Sequence, residues 1–210
     1  AAATAWGVWR PPSVTPTLAR LGIALPATSP FAVPTSPSRS VAISPNGRQV
    51  VYLGNSGTDG PPRRMLFRRS LDQLSVTAIP GTEGAYQPFF SPDGRSIAYF
   101  AFGGELKKVS LDGGPAVTVA RGVPNPQWDF GVWRNDDIIV FGTFDRLMQV
   151  PAAGGTPTQL MSLGDAPAAD LWHHFPAIVP STGDVIFTVH TSDARDRLDI
   201  LRWDTKARST

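Results

Sequence analysis

The stretch Phe89-Phe90-Ser91-Pro92-Asp93-Gly94-Arg95-Ser96-Ile97-Ala98-Tyr99-Phe100 constrains this chain more than any other, because it sets a four-residue turn between two apolar runs. Pro92 presets φ near −65° for the first central position of a type I turn, Asp93 can bond nearby backbone, and Gly94 accepts the positive φ that follows in such hairpins. The segment reads as a β-hairpin. The unit recurs at Ile43-Ser44-Pro45-Asn46-Gly47, and in degenerate form across residues 132–141 and 179–189.

With the turn residue as marker, Gly47, Gly94, Asp137 and Gly183 follow one another at spacings of 47, 43 and 46 residues. That period matches one blade of a β-propeller. Each turn leads into a run that is apolar at successive positions: Val50-Val51-Tyr52-Leu53, Ile97-Ala98-Tyr99-Phe100, Ile138-Ile139-Val140-Phe141 and Val185-Ile186-Phe187-Thr188-Val189. A strand with apolar side chains on both faces must be covered on both sides, so these runs are expected to be the inner strands of stacked sheets. Third strands are expected at residues 65–69, 106–110, 147–151 and 198–203. The Gly113-Gly114 and Gly154-Gly155 turns then lead into fourth strands at 117–120 and 158–161. The expected fold is all-β, a propeller of four-stranded antiparallel blades with about four blades present as part of a larger ring. One segment, 192–208, lacks Gly and Pro and also fits a capped helix with Leu198 and Leu201 on one face.

Charge excludes little. Nineteen Lys and Arg stand against 17 Asp and Glu, an excess of two that gives no footing for a nucleic-acid partner. Arg63-Arg64 and Arg68-Arg69 read instead as solvated residues of an outer strand. Cysteine is absent, which removes disulfides and thiolate metal sites from consideration.

Residues 1–10 are apolar, carry Trp6 and Trp9, and are stopped by Arg10-Pro11-Pro12. Too short to span a membrane, they fit either the end of a spanning helix with its interfacial tryptophans or a frayed terminus. Residues 11–39 form a proline-rich linker with one strand candidate at 18–25, and residues 40–210 hold the blades.

The Ser-Pro-Asp-Gly turn and the apolar strand after it resemble the WD-like repeat of TolB and of tricorn-type and prolyl-oligopeptidase propellers. More specifically, Ser70-Leu71-Asp72, Pro80-Gly81-Thr82-Glu83-Gly84-Ala85, Pro88-Phe89-Phe90-Ser91-Pro92-Asp93-Gly94, Leu106-Lys107-Lys108-Val109, Val150-Pro151-Ala152-Ala153-Gly154-Gly155-Thr156-Pro157 and His173-His174-Phe175-Pro176 resemble the extracytoplasmic propeller of bacterial transmembrane serine/threonine kinases. That resemblance implies a kinase domain, one spanning helix, a proline-rich linker and then this propeller, on the extracytoplasmic or periplasmic side of the membrane. Two departures stand out. Arg134-Asn135-Asp136-Asp137 and Pro180-Ser181-Thr182-Gly183 replace the full turn motif, and the chain reaches Thr210 after an expected third strand where the family continues into further blades.

Neither a Walker loop nor HExxH nor a Gly-x-Ser-x-Gly elbow occurs. Asp129-Phe130-Gly131 spells the kinase magnesium motif and Val41-Ala42-Ile43 most of the kinase lysine strand, but Ser44 stands where the lysine belongs and no His-Arg-Asp loop precedes Asp129. No catalytic residues, cofactor or metal are therefore expected in this chain. The expected role is a non-catalytic sensor or scaffold. The alternatives are a TolB-like envelope protein and the gating propeller of a serine peptidase. Trp128, Trp133, Trp172 and Trp203 are expected mostly between blades, with Trp128 and Trp172 just before inner strands near one end of the channel. The candidate ligand rim is Trp128, Asp129, Trp172, His173 and His174, on loops entering the inner strands through Gln127-Trp128-Asp129 and Leu171-Trp172-His173-His174. Aromatic surface beside a carboxylate and imidazoles there suits a protein, peptide or glycan ligand.

Overall fold

The structure, a computed structural model, describes residues 22, 25–27, 29–32, 39–56, 63–123, 130–143, 146–162, 170–193 and 195–210. The apolar start at 1–10 lies outside the described residues, as do much of the linker and all of the strand candidate at 18–25 except Gly22 and Leu25.

Sixteen strands are described, in four antiparallel sheets of four. The first sheet holds β1 (Val41–Ile43), β2 (Gln49–Ser56), β3 (Arg63–Ser70) and β4 (Val76–Ala78). The second holds β5 (Ala85–Phe90), β6 (Ser96–Ala101), β7 (Glu105–Ser110) and β8 (Val117–Arg121). β9 (Gly131–Trp133), β10 (Ile138–Gly142), β11 (Arg146–Pro151) and β12 (Thr158–Ser162) make the third. β13 (Asp170–Ile178), β14 (Val185–Thr191), β15 (Arg197–Leu201) and β16 (Arg208–Ser209) make the fourth. Each sheet is a simple meander in chain order, which is the blade of a β-propeller.

The turns that set the period are built as their residues dictate. Gly94 N–H donates to Ser91 O at 2.9 Å with φ +73°, the Asp93 carboxylate accepts from Ser91 Oγ at 2.6 Å and from Arg95 N–H at 3.0 Å, and Ser91 Oγ accepts from Ser96 N–H at 2.9 Å. Ser44 and Asn46 repeat this arrangement in the first blade. In the third blade Asp137 itself takes φ +56°, and in the fourth Gly183 takes +73°. All four markers of the repeat therefore occupy the left-handed region, whatever the rest of the motif has become.

The first strands of consecutive blades touch, β1 with β5, β5 with β9 and β9 with β13, so they line the narrow axial side. No contact of that extent joins β13 back to β1. The post-turn runs are the second strands of their sheets and, as expected, are covered by neighbouring sheets on both faces: Ile97, Ala98, Tyr99 and Phe100 are all fully buried. One apolar cluster joins blades one to three and another joins blades three and four. Close approach at the second junction is allowed by Gly131, where a Cβ would sit 2.5 Å from the Phe89 ring.

The 192–208 segment is strand and turn, not helix, and β16 supplies a fourth strand that the sequence reading did not place, paired to Ile200 and Leu201. The basic residues of β3 also depart from a purely solvated role. Arg69 is buried with Nε–H donating to Gln73 O at 3.0 Å, and Arg68 donates to Leu111 O of the second blade at 2.6 Å. They satisfy backbone carbonyls rather than coat a surface.

Candidate functional site

Of the five rim residues, Trp128 and Asp129 lie outside the described residues. The other three do not enter an inner strand from a loop; they are part of one. Trp172, His173 and His174 sit within β13, opposite His190, Val189 and Thr188 of β14. Alternation then sends His173 to one face of the sheet and its two neighbours to the other.

His173 is fully buried and faces the third blade, with Phe187 5.2 Å away edge to face. It sits in an ionic cluster that the sequence reading missed. Asp170 and Asp199 have no exposed side-chain surface. Arg197 Nη2 lies 2.8 and 2.9 Å from the two Asp170 oxygens, its Nε donates to Asp199 at 3.0 Å, and Arg208 bonds Asp170 at 2.5 Å and also Asp199. Burial pushes the Asp170 carboxyl up, but the hydrogen bonds and charges of Arg208 and Arg197 outweigh it and hold the group below the usual carboxylate range. His173 Nε2 stands 3.8 Å from Asp170, beyond hydrogen-bonding distance, and neither ring nitrogen has a hydrogen-bond partner. Burial first, then the Arg208 charge, pushes the imidazole down to about 4. The cluster ties β13, β15 and β16 together; its arginines are partly exposed, but the two carboxylates and His173 have no exposed side-chain surface, so His173 cannot meet a ligand where it stands.

The opposite face is open. Trp172 is 42% exposed. It forms one rung with His190, whose Nδ1–H donates to Asp196 at 2.6 Å, and the next rung is His174, Thr188 and Leu198. The Trp172 ring lies 5.8 Å from His190 and 6.3 Å from His174, and the two imidazoles are 5.2 Å apart. Trp172 and His190 are direct cross-strand partners, and His174 lies two residues along β13 and diagonal to His190; Trp172 is exposed and His190 half-buried, but His174, a sequence-expected rim residue, is buried at 6% exposure. The sequence reading placed Trp172 and His174 here but missed His190 and Asp196. Counting back from the Pro180–Gly183 turn pairs Trp172 with Thr191; a register shift between His174 and Ala177 sets it opposite His190, and nothing in the sequence marked that shift.

Elsewhere, a cleft of about 250 Å³ between the second and third blades is lined, among the described residues, by Gly122, Val123, Phe141, Thr143, Arg146, Met148 and Pro157. Among the described residues no cluster of three or more His, Asp or Glu side chains is placed to hold a metal ion. No described helix is long and apolar enough to cross a membrane.

Sheets of this kind and in this order define a β-propeller domain, and solved propellers share the arrangement. The extracellular domain of a protein assigned as a one-component system from B. thetaiotaomicron superposes with a TM-score of 0.52 at 16% identity, over 89% of this chain and 23% of that one. A protein assigned as a dipeptidyl aminopeptidase IV from Bacteroides ovatus gives 0.57 at 10% identity, over 81% and 32%. A gluconolactonase from Xanthomonas campestris gives 0.54 at 11%, over 75% and 57%. This chain therefore spans less than two thirds of the length of each. No protein-family model matches the chain, and no curated protein matches it in sequence. At such identities the likeness is one of fold.

Proposed function

We propose that this chain is a non-catalytic binding propeller, the extracytoplasmic sensor portion of a membrane-anchored serine/threonine kinase. The observation that supports a binding role is Trp172, a large aromatic 42% exposed on the outward face of the fourth blade with the His190 and His174 rings beside it. The kinase assignment rests on the sequence resemblance of residues 70–176. The neighbouring extracellular domain supports it only through the shared fold.

The reading frame around the gene tests the kinase assignment directly. A kinase domain and a spanning helix upstream are expected, whereas a cleavable signal peptide or a downstream hydrolase domain overturns it. For the chain itself, ATP and peptide turnover by homogeneous protein are expected to be zero. Metal-dependent ATP hydrolysis abolished by Asp129→Ala overturns the non-catalytic reading.

A further inference from the structure

The seam between the first and second blades changes character along its length. On the face of the first blade that meets the second, Val51, Leu53, Leu66 and Ile79 are apolar and buried. Toward the start of β2 and the end of β3 the same face turns polar: Gln49 pairs with Ser70, and in the next rung of that face Arg68 stands between Val51 and Thr77. With Gln73 and Ser75 from the turn into β4, these side chains line a cleft of about 230 Å³, and every described residue of its lining is polar. A neighbouring cleft shares Arg68 and Thr77 and is closed on its far side by the turn Leu111–Gly114 of the second blade. The site therefore lies in a seam between two described blades.

Arg68 is its electrostatic centre. Its Nη1–H donates to Leu111 O at 2.6 Å, which holds the guanidinium across the seam and leaves most of its donors unused. Among the described residues no carboxylate pairs with it. Asp112 on the facing turn is bound by Arg95 through two bonds of 3.0 and 2.7 Å, and Asp72 on the turn into β4 is exposed and outside the lining. Gln49 Oε1 is buried without a hydrogen-bond partner, so the cleft also holds an acceptor that a ligand hydroxyl would satisfy. The next seam is built differently. Its equivalent rung is Ala98, Lys108 and Val117, where valine replaces the threonine hydroxyl and the ammonium lies 6.0 Å from the Trp133 ring. Blade packing by itself thus does not require the polar cleft.

We infer that this cleft binds a small hydroxylated carboxylate of the sugar-acid class. The carboxylate takes the planar fork of Arg68, the ligand's hydroxyls bond Ser70, Ser75 and Thr77, and one of them donates to Gln49 Oε1. A wholly polar lining suits no hydrocarbon body, and the volume lies below that of drug-sized sites, at the scale of one sugar unit. The site is separate from Trp172 and goes beyond the binding reading, which stands or falls without it.

The experiment applies saturation-transfer NMR and calorimetry to the full chain, with glucuronate, galacturonate and gluconate as probes and glucose, acetate and inorganic phosphate beside them. At least one sugar acid is expected to bind, less tightly as salt rises, with glucose, acetate and phosphate tenfold or more weaker. Arg68→Gln is expected to weaken that binding tenfold or more, Thr77→Val severalfold and Lys108→Gln not at all, with circular dichroism unchanged. Should Arg68→Gln disturb the fold through the lost Leu111 contact, Thr77→Val, which copies the second blade at an exposed position, carries the test. No binding of any of the three acids, or binding that Thr77→Val and a folded Arg68→Gln leave intact, overturns the site. Acetate or phosphate bound as tightly as the sugar acids overturns the hydroxylated class, and glucose bound as tightly overturns the role of Arg68.

Discussion

At the residue scale the fourth blade places two buried carboxylates, two arginines and a neutral histidine within one network, and its energetics are dominated by desolvation. The ordinary histidine value lies near 6.5 and His173 is pushed down to about 4, so between those pH values the unfolded chain binds a proton that the folded chain refuses. Stability therefore falls as pH drops from 6.5 toward 4, and below that Asp170, held low by its arginines, adds a further loss as it protonates. Thermal midpoints measured across pH 7 to 4 are expected to show this slope in the native chain. His173→Leu, which removes two unpartnered ring nitrogens, is expected to flatten it. A slope unchanged in that variant assigns the acid sensitivity to other groups. Asp170→Ala leaves Arg197 and Arg208 facing an empty position, and the expected cost is about 3 kcal/mol in urea unfolding, the range typical of breaking a buried pair on one side.

At the element scale the turn and the blade contact make different demands on glycine. Gly94 needs its backbone: φ is +73° and a Cβ there would meet nothing closer than 3.5 Å, so Gly94→Ala is expected to cost about 1 kcal/mol from the left-handed conformation alone. Gly131 needs its missing side chain, because a Cβ would enter the Phe89 ring at 2.5 Å. Gly131→Ala is expected to be the more damaging of the two, with the loss largely relieved when Phe89→Leu is added. Chemical denaturation of the three variants checks this, and equal costs for the two alanines would refute the distinction. The element scale also explains the short β16. Only two residues pair with β15, but Arg208 on that strand reaches Asp170 and Asp199, and at the turn before it Trp203 is held between Arg134 and Lys206 at 3.6 and 3.3 Å from the ring centre. Side-chain cations fasten a strand that its ladder would not.

At the scale of the whole molecule, the second and third blades are covered on both sides and the first and fourth on fewer. The first is partly capped by Phe31, which bridges to Gly54 and packs with Leu25 near Tyr52 and Phe67. The fourth exposes Trp172 and Leu198 on its outward face. Hydrogen exchange is expected to be slowest in β6 and β10 and markedly faster in β14 and β15, since fewer buried contacts must break to open the terminal sheet. Uniform protection across the four sheets would show instead that the described blades open as one cooperative unit.

The repeat was legible in the sequence because turn chemistry is local: Pro, Asp or Asn, and a residue that accepts positive φ act on their immediate neighbours, and Gly47, Gly94, Asp137 and Gly183 do so in the structure. The apolar runs were equally legible as doubly covered strands, since burial on both faces needs apolar side chains at successive positions. Which neighbouring sheet covers each face was not, because strand composition records how much is covered and not by which neighbour. The rim residues show the same limit. Adjacency in sequence grouped Trp172, His173 and His174, but the pleat buries His173 beside Asp170 and leaves Trp172 exposed next to His190 and Asp196, residues 18 and 24 positions further on, while His174 is buried. Which charges are buried, and which imidazole meets which carboxylate, follows from cross-strand register and blade packing, and these exist only once the sheets have assembled.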